Sequence, residues 1–527
     1  MIHPLMLAVA IVAHEPGYVT SLANHLSRWL KSEAVAAKVV PAAEMAGALD
    51  SEKIAFLIGF NEPTEAEMKT LRAFRARGGK LVVFHSASPA LAELMGVKPI
   101  GYKTAPLPGN WSSMKFVANR PEGFPAEILQ TSTVLQRAMP LDGRSRVVAE
   151  WLDRSGRPTG EAAWLASPAG FWMTHVLLAD GDEHLKARLV AAMCRAADAS
   201  LWSPAAADAR EKDFHDRTKK FALAQVPRKG EIHAVWDHSG CGLYPGNWAK
   251  TIRLLRESRV TDLFVNVAGA GFAHYASEVL PRSKTFQDEG DQLSACLTAA
   301  RDSGIRVHAW ILCFTGTRST PDRLKDFAAR GWRVKNRAGT LTEYLDPANM
   351  ELQRRLWTAI DELQANYPAL SGIHLDFVRF YEGAAEKPIN AAEIITGFIT
   401  EARRRVKVPR WLTTAVLGKY PASIASVGQD WEEWVKAKLV DYVVPMDYTD
   451  NLERFKALVA EPGKSRALAG RTIAGIGVTA NESRLDARQV MEEILIARKH
   501  RLAGVALFDL DVLLQKRIFP YLTLGIW

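Results

Sequence analysis

Three observations in the sequence predict an α/β protein of two domains, an open parallel α/β sheet followed by a closed (β/α)8 barrel. The first is length: 527 residues suffice for two or three domains, because a single α/β barrel takes about 250. The second is a β-α-β pattern near the start, with a helix that ends at Arg77-Gly78-Gly79. The third is a succession of eight apolar strand candidates separated by stretches with apolar residues at helical spacing, all within roughly 300 residues. These place an accessory domain at residues 1–200, a connecting segment at 201–229 and the barrel at 230–527.

The accessory domain begins with the strand Leu7-Ala8-Val9-Ala10-Ile11-Val12, a Gly17 loop and a helix striped by Leu22, His25, Leu26, Trp29 and Leu30. Pro4 to Ala13 also has the length of a signal-peptide core, but no Lys or Arg occurs before Arg28, which favours the strand; a start downstream of a lost leader is the other reading. A second strand, Ile54 to Phe60, and a third, Lys80 to Phe84, lead into His85-Ser86-Ala87-Ser88-Pro89. This pattern resembles the flavodoxin-like, glutamine-amidotransferase-like domains that accompany some glycosidase barrels. The resemblance implies a Cys nucleophile after such a strand in active amidotransferases. His85 and Ser86 stand there instead, without a third partner, so the domain is expected to be structural or to mediate homo-oligomerisation. Trp111, Trp151, Trp164, Phe171 and Trp172 read as core and hairpin packing. The segment from 201 to 229 carries Pro204 and a charged helical run from Asp208 to Lys220.

Composition excludes several classes. Hydrophobic residues at 48% and charged residues at 24% are those of a globular protein. The net charge of +9 comes from Lys and Arg scattered over helices, with no basic stripe interleaved with aromatics, so nucleic acid is not expected as a partner. No run reaches the ~18–20 apolar residues of a membrane span, so the chain is not expected to be membrane-integral. Cys194, Cys241, Cys296 and Cys313 show neither C-x-x-C pairing nor zinc spacing with His, and read as free thiols. The glycine-rich turn Ala268-Gly269-Ala270-Gly271-Phe272 lacks the third Gly of a dinucleotide site. Neither a metal nor a cofactor is expected.

The barrel strands are read at Ile232–Asp237, Leu263–Val267, Val307–Leu312, Ile373–Val378, Leu412–Leu417, Tyr442–Met446, Ile473–Val478 and Val505–Leu510. The fourth is the most informative. If Ile373, Leu375 and Phe377 face helices, period two sends His374 and Asp376 inward, toward the end where barrel enzymes keep their chemistry. Other strand ends and the loops after them supply Trp236, Asp237, His238, Tyr244, Asn266, His308, Trp310, Arg379, Tyr381, Asp447, Tyr448 and Asp509. So many acidic, amide and aromatic groups at one rim suit a carbohydrate, whose hydroxyls need planar donors and acceptors and whose C–H faces stack on rings. Cleaving a glycoside ordinarily takes two carboxyl groups about 5 to 9.5 Å apart. Asp376 and Asp447 are expected to form the catalytic pair, with Asp237, Glu382 and Asp509 in reserve. Trp236, Asp237, His238, Tyr244, Asn266, His308, Trp310, His374, Arg379, Tyr381 and Tyr448 are expected to bind substrate; His308 and His374 read equally well as hydrogen-bonded core residues. Asp346, before Pro347, reads as a helix N-cap.

Ala234-Val235-Trp236-Asp237-His238-Ser239-Gly240, Gln292, Gly304-Ile305-Arg306-Val307-His308-Ala309-Trp310, Tyr344-Leu345-Asp346-Pro347-Ala348-Asn349 and Gly372-Ile373-His374-Leu375-Asp376-Phe377-Val378-Arg379-Phe380 together resemble the glycosyl-hydrolase-like family ten. That bacterial barrel family is similar in turn to the hydrolase domain of poly-N-acetylglucosamine-processing proteins. The resemblance spans most of residues 230–450. It implies a glycoside hydrolase acting on a polysaccharide or oligosaccharide, with Asp376 on the catalytic strand and a periplasmic or secreted location. Where the poly-N-acetylglucosamine relatives carry paired Asp residues at the end of strand four, this chain has Asp376-Phe377. The competing expectation is a catalytically inactive glycan-binding or scaffold protein.

Overall fold

The computed structural model describes residues 9–14, 17–105 and 109–527. Leu7 and Ala8 of the expected first strand therefore lie outside the described residues. The chain forms two compact units, Met1–Asp216 and Arg217–Trp527. The helix Pro204–Leu223 occupies the segment read as a connector.

The first unit is built on a nine-stranded mixed sheet. Lys38–Pro41, Val9–Ala13, Ile54–Ile58, Lys80–Phe84 and Gly170–Met173 run parallel, in that spatial order. The inner strands are apolar at nearly every position because helices cover both faces. Phe56 and Ile58 pack with Leu26 and Trp29 of the helix Tyr18–Ser32, whereas Ala55 and Leu57 pack with Met68 and Leu71 of the helix Glu65–Ala76. That second helix opens on a capping box in which Thr64 and Glu67 satisfy each other's backbone N–H. Beyond Gly170–Met173 the sheet turns antiparallel through Pro158–Ser167, Arg146–Leu152, Trp111–Phe116 and Glu127–Ser132. This corrects the expectation of a wholly parallel sheet. Residues 109–173 join strand to strand by turns, without the crossover helix that parallel pairing requires. Trp111, Trp151, Trp164, Phe171 and Trp172 are all buried, as are Phe116 and Phe124.

The second unit is a closed eight-stranded parallel barrel. Its strands are β1 (Ile232–Asp237), β2 (Asp262–Gly269), β3 (Arg306–Leu312), β4 (Gly372–Asp376), β5 (Trp411–Leu417), β6 (Tyr442–Met446), β7 (Ile473–Gly477) and β8 (Gly504–Phe508). Each pairs with the next, and β8 returns to β1. Period two divides their side chains. Val235, Leu263, Val265, Val307, Ala309, Ile311, Ile373, Leu375 and Val443 pack outward with the helices, while Ala234, Trp236, Phe264, Trp310, Leu312, Val444 and Ala506 fill the interior. Truncating one outward residue such as Leu375 to Ala would cost about 2–5 kcal/mol.

The barrel floor is polar, and its carboxylate is paired, although His308 Nδ1 is buried without a partner among the described residues. Asp262, on β2, accepts from Arg306 Nε at 2.7 Å and Nη2 at 2.6 Å, and pairs with His308 Nε2 at 2.9 Å. Burial opposes the Asp262 charge, but the His308 and Arg306 hydrogen bonds outweigh it and hold the carboxyl down at about 2. His308 is thus a floor residue, which corrects its expected contact with substrate. The cap of the helix Met350–Asn366 is Asn349, whose Oδ1 accepts from Leu352 N–H, while Asp346 closes the preceding turn through Ala348 N–H. Among the described residues no helix is long and apolar enough to cross a membrane.

Candidate active site

Asp376 ends β4 at the carboxyl end of the barrel, on the face opposite Ile373 and Leu375. It is 4% exposed, and its Oδ1 accepts the N–H of Phe377 at 2.6 Å. That bond accompanies a left-handed backbone at Phe377, φ +53°, a conformation that costs a non-glycine residue about 1–2 kcal/mol. Burial raises the Asp376 pKa; Arg379, the Phe377 N–H and the neighbouring Trp310 indole offset only part of the rise. No described residue forms an ion pair with it.

Beneath Asp376 the interior is committed to packing. His374 lies over Phe264 with centroids 4.1 Å apart, its Nε2 accepts the Trp236 indole N–H at 3.0 Å and its Nδ1 pairs with Thr413 Oγ1 at 2.8 Å. Burial holds its pKa well below the usual value, so the ring is neutral. Both nitrogens are used, so His374 is a core histidine; Trp236, whose only polar atom it occupies, is buried beside it. This corrects the substrate contacts expected of both.

Around the mouth stand Trp310, Phe377, Tyr448 and Phe508, with His238 between Trp310 and Phe508 at 5.8 and 5.7 Å. His238 opens to solvent, while the surrounding walls and then the Arg318 charge push its pKa down to about 4. Tyr448 and Phe508 stack at 5.5 Å. Tyr344 and Tyr381 stack at 4.1 Å, with Tyr344 reaching Phe377 at 6.1 Å. Asn266 shares the inward face of β2 with Phe264, and neither atom of its buried amide has a protein partner.

Asp509 follows β8, on the strand diametrically opposite β4. Burial and the like charge of Asp237 push its pKa up to about 6, against a hydrogen bond from Thr479 and the charge of Arg484. Asp376 and Asp509 are both felt by Tyr448, whose ionisation burial and these carboxylates oppose.

The structure takes three expected residues out of the mouth. Asp447 falls on the Val443 side of β6, opposite Val444 and Tyr448, and its Oδ1 reaches the space left by Gly418, where a Cβ would lie 1.9 Å away. Its acidic neighbour is Glu493 on the helix Ala487–Lys499, so it is not paired with Asp376. Asp237 spends its carboxylate on Ser239 Oγ and the N–H groups of Gly240 and Gly242, fixing its own loop. Gly240 there has φ +73°, and a Cβ would meet Asn266 O at 2.2 Å. The Tyr244 hydroxyl accepts from Gln515 Nε2 at 2.6 Å and its ring lies 3.9 Å from the Lys250 ammonium. Tyr344 and Phe508 were missed; alternation along β8 from Ala506 would have placed Phe508 inward.

No family model matches the chain, and no curated protein matches it in sequence. Solved structures similar to it include the glycoside hydrolase domain of PgaB (BpsB) from Bordetella bronchiseptica, with 13% identity, 56% of this chain and 99% of that chain covered, and a TM-score of 0.45. α-L-Fucosidase isoenzyme 2 from Paenibacillus thiaminolyticus has 11% identity, covers 56% of this chain and 48% of its own, and gives 0.40. The endo-1,4-β-mannanase of Rhizomucor miehei has 9% identity, coverage of 54% and 90%, and 0.39.

Proposed function

We propose that the protein is a glycoside hydrolase acting on a polysaccharide or oligosaccharide at the carboxyl end of the barrel, as its motif resemblance to glycosyl-hydrolase-like family ten also implies. The observation that carries the reading is Asp376: a buried carboxyl without an ion-pair partner among the described residues, at the end of β4, in a mouth walled by aromatic rings. Asp376 takes the role of the ionised group, nucleophile or base: burial raises its pKa, but Arg379 and the Phe377 N–H oppose that rise, and a cationic or hydrogen-bonding substrate contact would favour its charge further. Asp509, faced by the like charge of Asp237, keeps its proton to about pH 6 and acts as general acid. Phe377, Tyr448 and Phe508, which are partly open at the mouth, supply faces for the sugar.

The test is reducing-end release from a panel of bacterial polysaccharides. Asp376→Asn should lower turnover about 10²–10⁴-fold on any glycan the wild type cleaves; full turnover in that variant would refute the assignment. A scaffold that only binds glycans is favoured by the departure from the paired-Asp motif at Asp376-Phe377. Binding without release of reducing ends would establish that reading.

A further inference from the structure

Arg379 stands three residues beyond Asp376 and is half-buried at the mouth. Among the described residues it has neither a hydrogen-bond partner nor an ion-pair partner, and its Nη1 is buried without one. Four other arginines of the barrel are spent, Arg306 on Asp262, Arg403 on Asp441, Arg498 on Glu231 and Arg318 on the carbonyls of His238 and Ser239, whereas Arg355, which is not at the mouth, also keeps a buried Nε without a partner among the described residues. A buried N–H left unpaired costs about 1–3 kcal/mol. The Arg379 guanidinium carbon lies over the Phe377 ring, 4.4 Å from its centroid. The charges of Asp376 and Tyr344 both respond to it. Asp376 does not close on it, because the carboxylate is turned onto the Phe377 N–H by the left-handed backbone at that residue. A planar cation with unused donors therefore flanks the proposed catalytic carboxylate, beside the Tyr344–Tyr381 stack.

We infer that Arg379 recognises an anionic substituent on the sugar bound next to Asp376, so that the substrate is an acidic glycan carrying a carboxylate, sulfate or phosphate. The inference rests on the glycan reading of the mouth. A guanidinium offers two parallel N–H donors to such an oxyanion, and a neutral sugar would leave them unpaired. The net charge of +9 favours the encounter.

Binding of oligogalacturonate, which carries carboxylates only, a κ-carrageenan tetrasaccharide, which carries sulfates only, and neutral cellotetraose to the full chain tests it by calorimetry. Wild type should bind one of the acidic probes about ten- to a hundredfold more tightly than the neutral one. Arg379→Gln should abolish that preference and Arg379→Lys should restore part of it, in variants whose melting temperatures match wild type. The carboxylate and sulfate probes distinguish the oxyanion. Equal binding of acidic and neutral probes, no binding of either acidic probe, or a preference that survives Arg379→Gln overturns the inference. Cleavage of a neutral glycan that needs Asp376 and ignores Arg379 would do the same and leave the hydrolase reading intact. Arg379-dependent binding of an acidic probe, with no reducing ends released from any glycan, would instead remove the hydrolase reading and keep the inference.

Discussion

The two ends of the barrel carry the same kind of group in opposite states. At the floor Asp262 is buried, but Arg306 and His308 satisfy its carboxylate and hold its pKa at about 2. At the mouth Asp376 is equally buried, has no ion pair, and its pKa is raised. Asn266 and Arg379 near it also keep unused polar atoms. A folded chain gains nothing from leaving such groups unpaired, so the mouth is the end where partners are expected from outside.

The sharpest way to break this comparison is to neutralise each acid in turn. Asp376→Asn should lose the turnover, about 10²–10⁴-fold, and gain stability at neutral pH. The sign follows from linkage. A carboxyl whose folded pKa lies above its unfolded value binds its proton more tightly when folded, so it costs stability as pH rises above about 4, and Asn removes that cost. Asp262→Asn should do the reverse and destabilise by roughly 2–4 kcal/mol, less than a fully enclosed pair because Arg306 reaches solvent. The Asp262 contribution is present above about pH 4 and lost as pH falls toward 2. Thermal melts of both variants between pH 3 and pH 8 check the pair of signs. Two variants that shift the melting temperature in the same direction would erase the distinction between floor and mouth.

A smaller effect is expected behind β6. Glu493 is buried, neither of its oxygens has a partner among the described residues, and burial above all, with acidic groups nearby, pushes its pKa up to about 9. Its folded pKa is raised, so the cost grows as pH rises from about 4.5 toward 9, of the order of 3 kcal/mol by pH 7. Glu493→Gln keeps the volume and removes the charge. It should raise the melting temperature at pH 8 and leave it nearly unchanged at pH 5; a profile parallel to wild type would contradict the unpaired state.

The barrel was legible because each strand repeats one arrangement, apolar residues outward and a different set inward, and the helices between them show a stripe. Within the site, Asp376 was legible for the same reason: Ile373 and Leu375 fix the phase of β4 and the acid keeps it. Asp447 and Asp237 were misplaced where the phase was not carried through. Tyr442, Val444 and Met446 on one side of β6 put Tyr448 inward and Asp447 out; Ile232, Ala234 and Trp236 do the same to Asp237. The state of Arg379 had no sequence signal, since whether a cation is paired depends on groups that meet only when the barrel closes. The antiparallel half of the first unit was obscured because its strands pair across turns of varied length, and its aromatics mark a core without marking a direction.

Asp447 supplies the finest test. It is the acid that sequence spacing favoured as the partner of Asp376, and it sits on the wrong side of β6 for that role. Burial alone drives its pKa well above the usual value, so it is protonated and neutral in the folded protein. An amide replaces a neutral carboxyl in that space, beside Gly418, with little change of volume. Asp447→Asn should therefore keep kcat within about threefold on any substrate the wild type cleaves, while Asp509→Asn, on the opposite wall from Asp376, should lower it about 10²-fold or more. If the two results exchange places, period two fails at the end of β6 and the second carboxyl of the site is Asp447 after all.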